Sequence, residues 1–233
     1  SLLEETGANA AALLDLAYAL GRIGRTADAI LVLDEVESLR PGRADVAFAR
    51  GVITLESGDA NAAATAFETY RERLGDAATP PALYFHHAAL AAAALGARDE
   101  AESLVEAGLE AHPASAPLHV LAGALAERRG DLSEAERYYR QAVEEDPKLA
   151  QAHKNLGDLA YRRKLMDEAL EHYQRAGRLD PDLGDDLFTK LGNIHYKRME
   201  REEAMRCWER ALELNPSNEV VRNNLEVVAN ALG

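Results

Sequence analysis

The chain has little of the material from which catalytic, disulfide-bonded or membrane-embedded proteins are usually built. Of its 233 residues one is cysteine, one is tryptophan and three are methionine, and aromatics make up 6%. Cys207, standing alone, excludes an intramolecular disulfide and a cysteine-only metal site, and its place beside Trp208 marks it as a buried structural thiol. No apolar run approaches the roughly 18 residues of a membrane span, and no signal-peptide pattern is visible. The chain starts at Ser1 without methionine, so a targeting segment or another domain can precede it. Lysine is absent from the first 115 residues, which carry 18 acids against 8 bases; the remainder carries 22 against 18 and holds all five lysines. The net charge of -14 argues against non-specific nucleic-acid binding, which needs clustered bases to displace phosphate counterions.

Chemistry-bearing motifs are missing as well. There is no Walker-type loop, no GxSxG elbow, no GxGxxG stretch and no HExxH or Cys/His ligand spacing. Of the seven histidines, His86 and His87 are consecutive and diverge by about 100 degrees on a helix. His119 and His153 recur at equivalent places and read as packing groups. The expectation is a protein that is not an enzyme and needs no metal or cofactor.

What the chain does contain is a repeat. From Ala150 to Pro181 it reads as two helices and a turn: Leu156, Gly157 and Ala160 share one face, and Ala169, Tyr173 and Ala176 another. Gly157 and Ala169 are small where two backbones approach, and Tyr173 is large where the gap between helix pairs must be filled. Proline then stops the second helix, since it lacks an amide hydrogen and clashes with the preceding turn. Stops recur at Pro113, Pro147, Pro181 and Pro216, spaced 34, 34 and 35 residues, with Pro41 upstream. Ala29, Ala63, Ala101, Ala135 and Ala204 match Ala169; Leu33, Phe67, Val105, Tyr139 and Trp208 match Tyr173.

This order of small, large and stop residues resembles the tetratricopeptide repeat, whose period is about 34 residues. The resemblance implies an all-α fold, a right-handed superhelix (α-solenoid) of antiparallel helix pairs. Six repeats are expected, at 10–43, 44–81, 82–115, 116–149, 150–184 and 185–218, after a leader or helix tail at 1–9 and before a capping helix at 219–233. Leu13, Leu16, Ala17 and Leu20 should face inward on the first helix, with Gly24 at the turn. The exit of repeat two, LGDAATPP, is longer than the standard link and is the expected bend or loosened junction. Ser133 and Glu136 are spaced as a capping box, and Asn223, Asn224, Glu226 and Asn230 should form the polar back of the cap.

The family's usual peptide site is a concave groove lined by the first helices, at the second, fifth, sixth, ninth, twelfth and thirteenth residues of each repeat. Carried over, this implies an apolar N-terminal trough with Leu14, Tyr18, Phe48, Val52, Leu55, Leu83, His86, His87 and Leu90. It also implies a polar, aromatic and basic C-terminal trough with Lys154, Asn155, Asp158, Tyr161, Arg162, Lys190, Asn193, Tyr196, Lys197 and Asn224. Asn155, Lys190 and Asn224 hold one place in successive units and could form a ladder along an extended peptide. The family's clamp for chaperone tails has lysine at the fifth place, asparagine at the ninth and asparagine at the sixth of the next repeat. Lys154 satisfies the first, but Asp158 and Lys190 replace the asparagines, which argues against that ligand. The function implied is a non-catalytic scaffold for an unidentified protein partner, monomeric or weakly self-associating. The alternatives are the substrate-recruiting arm of a larger glycosyltransferase or methyltransferase, and an exported assembly lipoprotein like the bacterial pilotins of type IV pili. The compartment follows from that choice: cytoplasmic, or periplasmic or envelope-anchored if a targeting segment was removed.

Overall fold

The computed structural model describes the backbone of residues 2–230 and the side chains of residues 10–228. The described residues form helices and no strands: α1 (Leu2–Arg22), α2 (Thr26–Leu39), α3 (Ala44–Glu56), α4 (Ala60–Leu74), α5 (Ala82–Ala94), α6 (Arg98–Ala111), α7 (Ala116–Arg129), α8 (Leu132–Glu145), α9 (Ala150–Arg162), α10 (Met166–Leu179), α11 (Asp185–Lys197), α12 (Arg201–Leu214) and α13 (Glu219–Asn230). They are grouped into two compact units, Ser1–Leu118 and His119–Gly233, with the boundary inside α7.

Proline spacing sets where the second helices end. α2, α6, α8, α10 and α12 each stop two residues before Pro41, Pro113, Pro147, Pro181 and Pro216. The residue before each proline is forced out of the helical region by the ring's Cδ; Arg40, His112, Asp146, Asp180 and Asn215 are extended, with φ between -144 and -132. The turns inside the pairs use a left-handed residue. It is Gly24, Gly58, Gly96 and Gly130 in four of them, but Lys164 (φ 64) and Met199 (φ 65) in the turns after α9 and α11. Side chains there meet their own carbonyl. Lys164→Gly and Met199→Gly should therefore each raise stability by about 0.5 to 1 kcal/mol, the relief outweighing glycine's unfolded-chain entropy; urea denaturation midpoints check this.

Within a pair, the eighth residue of the repeat seats the large residue of the second helix. A Cβ added to Gly51, Gly123, Gly157 or Gly192 would lie 2.4 to 2.6 Å from a ring atom of Phe67, Tyr139, Tyr173 or Trp208. Where the seat is alanine, at Ala17 and Ala89, the matching residue is the smaller Leu33 or Val105, and all four are buried. Small residue and ring are thus size-matched pair by pair.

Several expectations need correction. Of the two readings left open for residues 1–9, the backbone of residues 2–9 takes the helix tail, as a continuation of α1. Leu16 is 46% exposed; the buried stripe is Ala10, Leu14 and Ala17, which follows the helical period through Ala17 where Leu16 does not. The cap of α8 is Asp131, whose side chain accepts from the Glu134 amide at 2.9 Å, because left-handed Gly130 starts the helix two residues before the Ser133 register. The exit of repeat two is tied down. Pro80 is buried and its carbonyl lies 2.7 Å from His112 Nε2, Arg71 donates to the Ala78 carbonyl, and the Tyr70 and Tyr84 rings meet across the loop at 5.0 Å. On α13, Val221 and Val228 are buried as a cap requires, but Val220 and Val227 are 63% and 61% exposed on the face that carries Asn223 and Asn224. The Asn230 side chain and residues 231–233 lie outside the described residues.

Candidate functional site

In the second unit the buried rings organise the polar face of the first helices. The Tyr139 hydroxyl donates to Glu127 Oε2 at 3.0 Å, the Tyr173 hydroxyl to Asp158 Oδ1 at 2.7 Å, and the Trp208 indole N–H to Asn193 Oδ1 at 3.2 Å. Each of these three glycine-seated rings thus holds a polar partner on the facing helix. Burial, reinforced by these carboxylates, pushes the Tyr139 and Tyr173 phenols well above their ordinary range.

Asp158 is also the centre of a four-charge network. Lys190 Nζ lies 2.5 Å from Asp158 Oδ1 and 3.4 Å from Asp186 Oδ2; Lys154 Nζ lies 3.3 Å from Asp158 Oδ2 and 2.9 Å from Asp186 Oδ2. Desolvation works to lower the Lys154 pKa, but the Asp186 hydrogen bond and the two carboxylate charges outweigh it and the net shift is upward. For Asp186 burial opposes ionisation, and the two lysines overcome it and hold the carboxyl low. Lys154 and Lys190 are therefore neutralised within the chain. The asparagine-for-charge exchanges at Asp158 and Lys190 occur at two residues that bind each other.

Nearby, Tyr161 of α9, Asn193, Tyr196 and Lys197 of α11, Trp208 of α12, and Asn224 and Val227 of α13 line a cleft of about 200 Å³. Five of these seven stand in the groove list read from the sequence. The other two are Trp208, whose place in the repeat marks it as core, and Val227, which follows Asn224 by three residues, the spacing that keeps both on one helix face. Asn193 Oδ1 accepts from Trp208 and, at 3.4 Å, from Asn224 Nδ2. That leaves the Asn193 amide hydrogens and the Asn224 carbonyl oxygen without a bond among the described residues. Lys197 Nζ lies 5.7 Å from the Tyr161 ring centroid and has no carboxylate partner among the described residues. The Tyr196 ring, 43% exposed, leans on Trp208 with centroids 5.7 Å apart.

The other named residues do not join this cleft. Asn155 accepts from Gln151 at 2.7 Å, and Arg162 is paired with Glu127. Asn155, Lys190 and Asn224 thus bond to three different neighbours and not to one another. In the first unit, Tyr18, Phe48 and Leu55 pack half-buried against the core of α3, α4 and α5, and Val52 is buried. Phe48 meets Tyr70 at 5.5 Å and Phe67 and His87 at 6.0 Å. Leu14 is buried and Leu90 half-buried, leaving Leu83, 55% exposed, as the prominent apolar group of that set. His86 is held at a pKa of about 4 by burial and then by His87.

Buried His153 and half-buried His172 form a pair with Nδ1 atoms 3.3 Å apart. His153 Nε2 lies 3.2 Å from the Pro147 carbonyl, which can only accept, so that nitrogen carries the hydrogen and His172 donates through Nδ1. Desolvation, with Arg175 acting on His153 and His153 and Arg140 on His172, holds both below the ordinary range against Glu168 and Glu171. Lowered histidine pKa values give stability that is complete above the unfolded value and falls as pH drops through it. Thermal melts should thus show lower stability near pH 5 than near pH 7, with a shallower slope in His153→Gln; an unchanged slope would show that the pair does not carry it.

Tetratricopeptide repeat models match residues 3–79, 87–150 and 120–183, and a second such model matches 186–218. The chain belongs to the tetratricopeptide repeat family. Members of this family are in general non-catalytic scaffolds for protein interactions. Among solved structures, a chain of the APC/C hetero-tetramer Cut9-Hcn1 is similar at 14% identity with a TM-score of 0.78, covering 94% of this chain and 42% of that one. The Pseudomonas aeruginosa pilF structure is similar at 13% identity with a TM-score of 0.75, covering 94% of this chain and 97% of that one. At these identities the likeness is one of fold, the all-α superhelical repeat class. No curated protein sequence matches the chain. No described helix of this tetratricopeptide repeat protein is long and apolar enough to cross a membrane.

Proposed function

We propose that this chain is a non-catalytic interaction module that holds an extended segment of a partner protein in the cleft between α9, α11 and α13. The observation that supports this most is the convergence on one cleft of Tyr161, Asn193, Tyr196, Lys197 and Asn224, which the sequence names separately. Its chemistry suits a peptide. The spare Asn193 donor and Asn224 acceptor match a backbone carbonyl and amide, and the Tyr161, Tyr196 and Val227 walls suit one bulky side chain. Affinity capture with the wild-type chain and with a Tyr196→Ala, Asn224→Ala variant of unchanged circular dichroism tests it. A partner held by the wild type and lost from the variant is the expected result; equal capture by both would remove the cleft from the function.

A further inference from the structure

Lys164 and Met199 occupy left-handed backbone positions that glycine fills in four other turns, and neither side chain recovers the cost inside the chain. Met199 is 70% exposed, and Lys164 is exposed with no carboxylate partner among the described residues. Their turns are neighbours, joined by the Arg198–Asp167 ion pair and by Lys197 over the Tyr161 ring. The arginines of these turns are spoken for: Arg162 by Glu127, Arg163 by Glu136, Arg198 by Asp167. What projects is a pair of uncompensated ammonium groups, Lys164 and Lys197, among exposed Leu165, Tyr196 and Met199. Tyr196 and Lys197 also line the cleft, so the two surfaces are continuous.

We propose that this edge of turns extends the cleft into a track for an acidic peptide segment, with carboxylates on Lys197 and Lys164 and bulky apolar side chains on Tyr196 and Met199. The proposal rests on the reading of the cleft as a peptide site. Charge complementarity selects the class of ligand. Glu200 lies in the second of these turns and Asp167, Glu168 and Glu202 in the helix starts that follow them, and a dense sheet or helix of phosphates would be repelled by them. A flexible peptide can set its few carboxylates against the lysines alone.

The test is fluorescence anisotropy with a short labelled peptide of glutamates carrying phenylalanines, beside its lysine analogue, a version with serine for phenylalanine, and vesicles containing phosphatidylserine. Lys164→Gly and Met199→Gly should each weaken the acidic probe roughly two- to fivefold, the size of a lost exposed contact, while raising the melting temperature. Lys164→Arg should retain binding, and the serine version should bind more weakly. Weaker binding by a more stable variant cannot come from unfolding. If the glycine variants bind like wild type while Tyr196→Ala does not, the track fails and the cleft reading survives. If the wild type ignores the acidic probe or prefers the lysine analogue, the ligand class is wrong. If the variants lose vesicle binding only, the edge is a lipid surface and the proposal is overturned.

Discussion

Gly157→Ala should destabilise the chain by about 2 kcal/mol, although the same change in an ordinary helix stabilises by about 1 kcal/mol. The new Cβ would stand 2.6 and 2.7 Å from two ring carbons of Tyr173. That ring is fully buried and its hydroxyl is held by Asp158 at 2.7 Å, so it cannot swing aside. Overpacking of this kind costs more than helix propensity returns. The repeats themselves supply the cure: Tyr173→Leu added to Gly157→Ala recreates the Ala17 and Leu33 combination found in the first pair. The double variant should lose clearly less than the sum of the two single losses, since the Cβ no longer meets a ring. Urea unfolding of all four proteins measures the coupling; strict additivity, or a gain in stability from Gly157→Ala alone, would refute the size-matching account. Gly192→Ala carries a second consequence, because the atoms it would strike belong to Trp208, a wall of the cleft.

The other large effect is expected from Asp158→Asn. Asp158 accepts from the Tyr173 hydroxyl and from both lysines, and its charge compensates theirs. Asparagine keeps one acceptor oxygen and loses the charge, leaving Asp186 as the remaining carboxylate for Lys154 and Lys190. The side chains concerned are 14% to 29% exposed apart from Asp186, so the loss falls between that of a surface pair and a buried one, about 1 to 3 kcal/mol. The same change should increase affinity for the acidic probe, because lysines now neutralised from within would be released toward the cleft side of α9 and α11. Denaturant unfolding and anisotropy on the one variant report both signs. Unchanged stability would mean that the network is ornamental, and unchanged affinity that Lys154 and Lys190 do not face the ligand.

The repeat architecture was legible because its determinants are short-range. A proline two residues beyond five of the six second helices acts on the residue beside it, and the glycine seat and its ring lie sixteen residues apart, as from Gly157 to Tyr173. Local errors arose where two registers competed. Ser133 with Glu136 and Asp131 with Glu134 share one spacing, and the left-handed Gly130 chooses between them. Leu14 and Leu16 are equally apolar, and only the neighbouring pair decides that Leu14 is covered.

The candidate site was legible as a set of residues and not as an arrangement. Tyr161, Asn193, Tyr196, Lys197 and Asn224 could be named from their places in the repeat, yet nothing in that pattern separates them from Lys154 and Lys190, which share the same periodicity. The separation comes from Asp158 and Asp186. Whether a lysine on α9 or α11 is free depends on distances of a few ångströms between helices whose residues are some thirty positions apart. The sequence by itself determined the helices, their stops, the size-matched pairs and the family, all governed by neighbours along the chain or across one turn. Only the tertiary structure decided which cations are spent, which rings close the cleft and which two turns hold side chains at a cost, because Coulomb pairing and packing act through space.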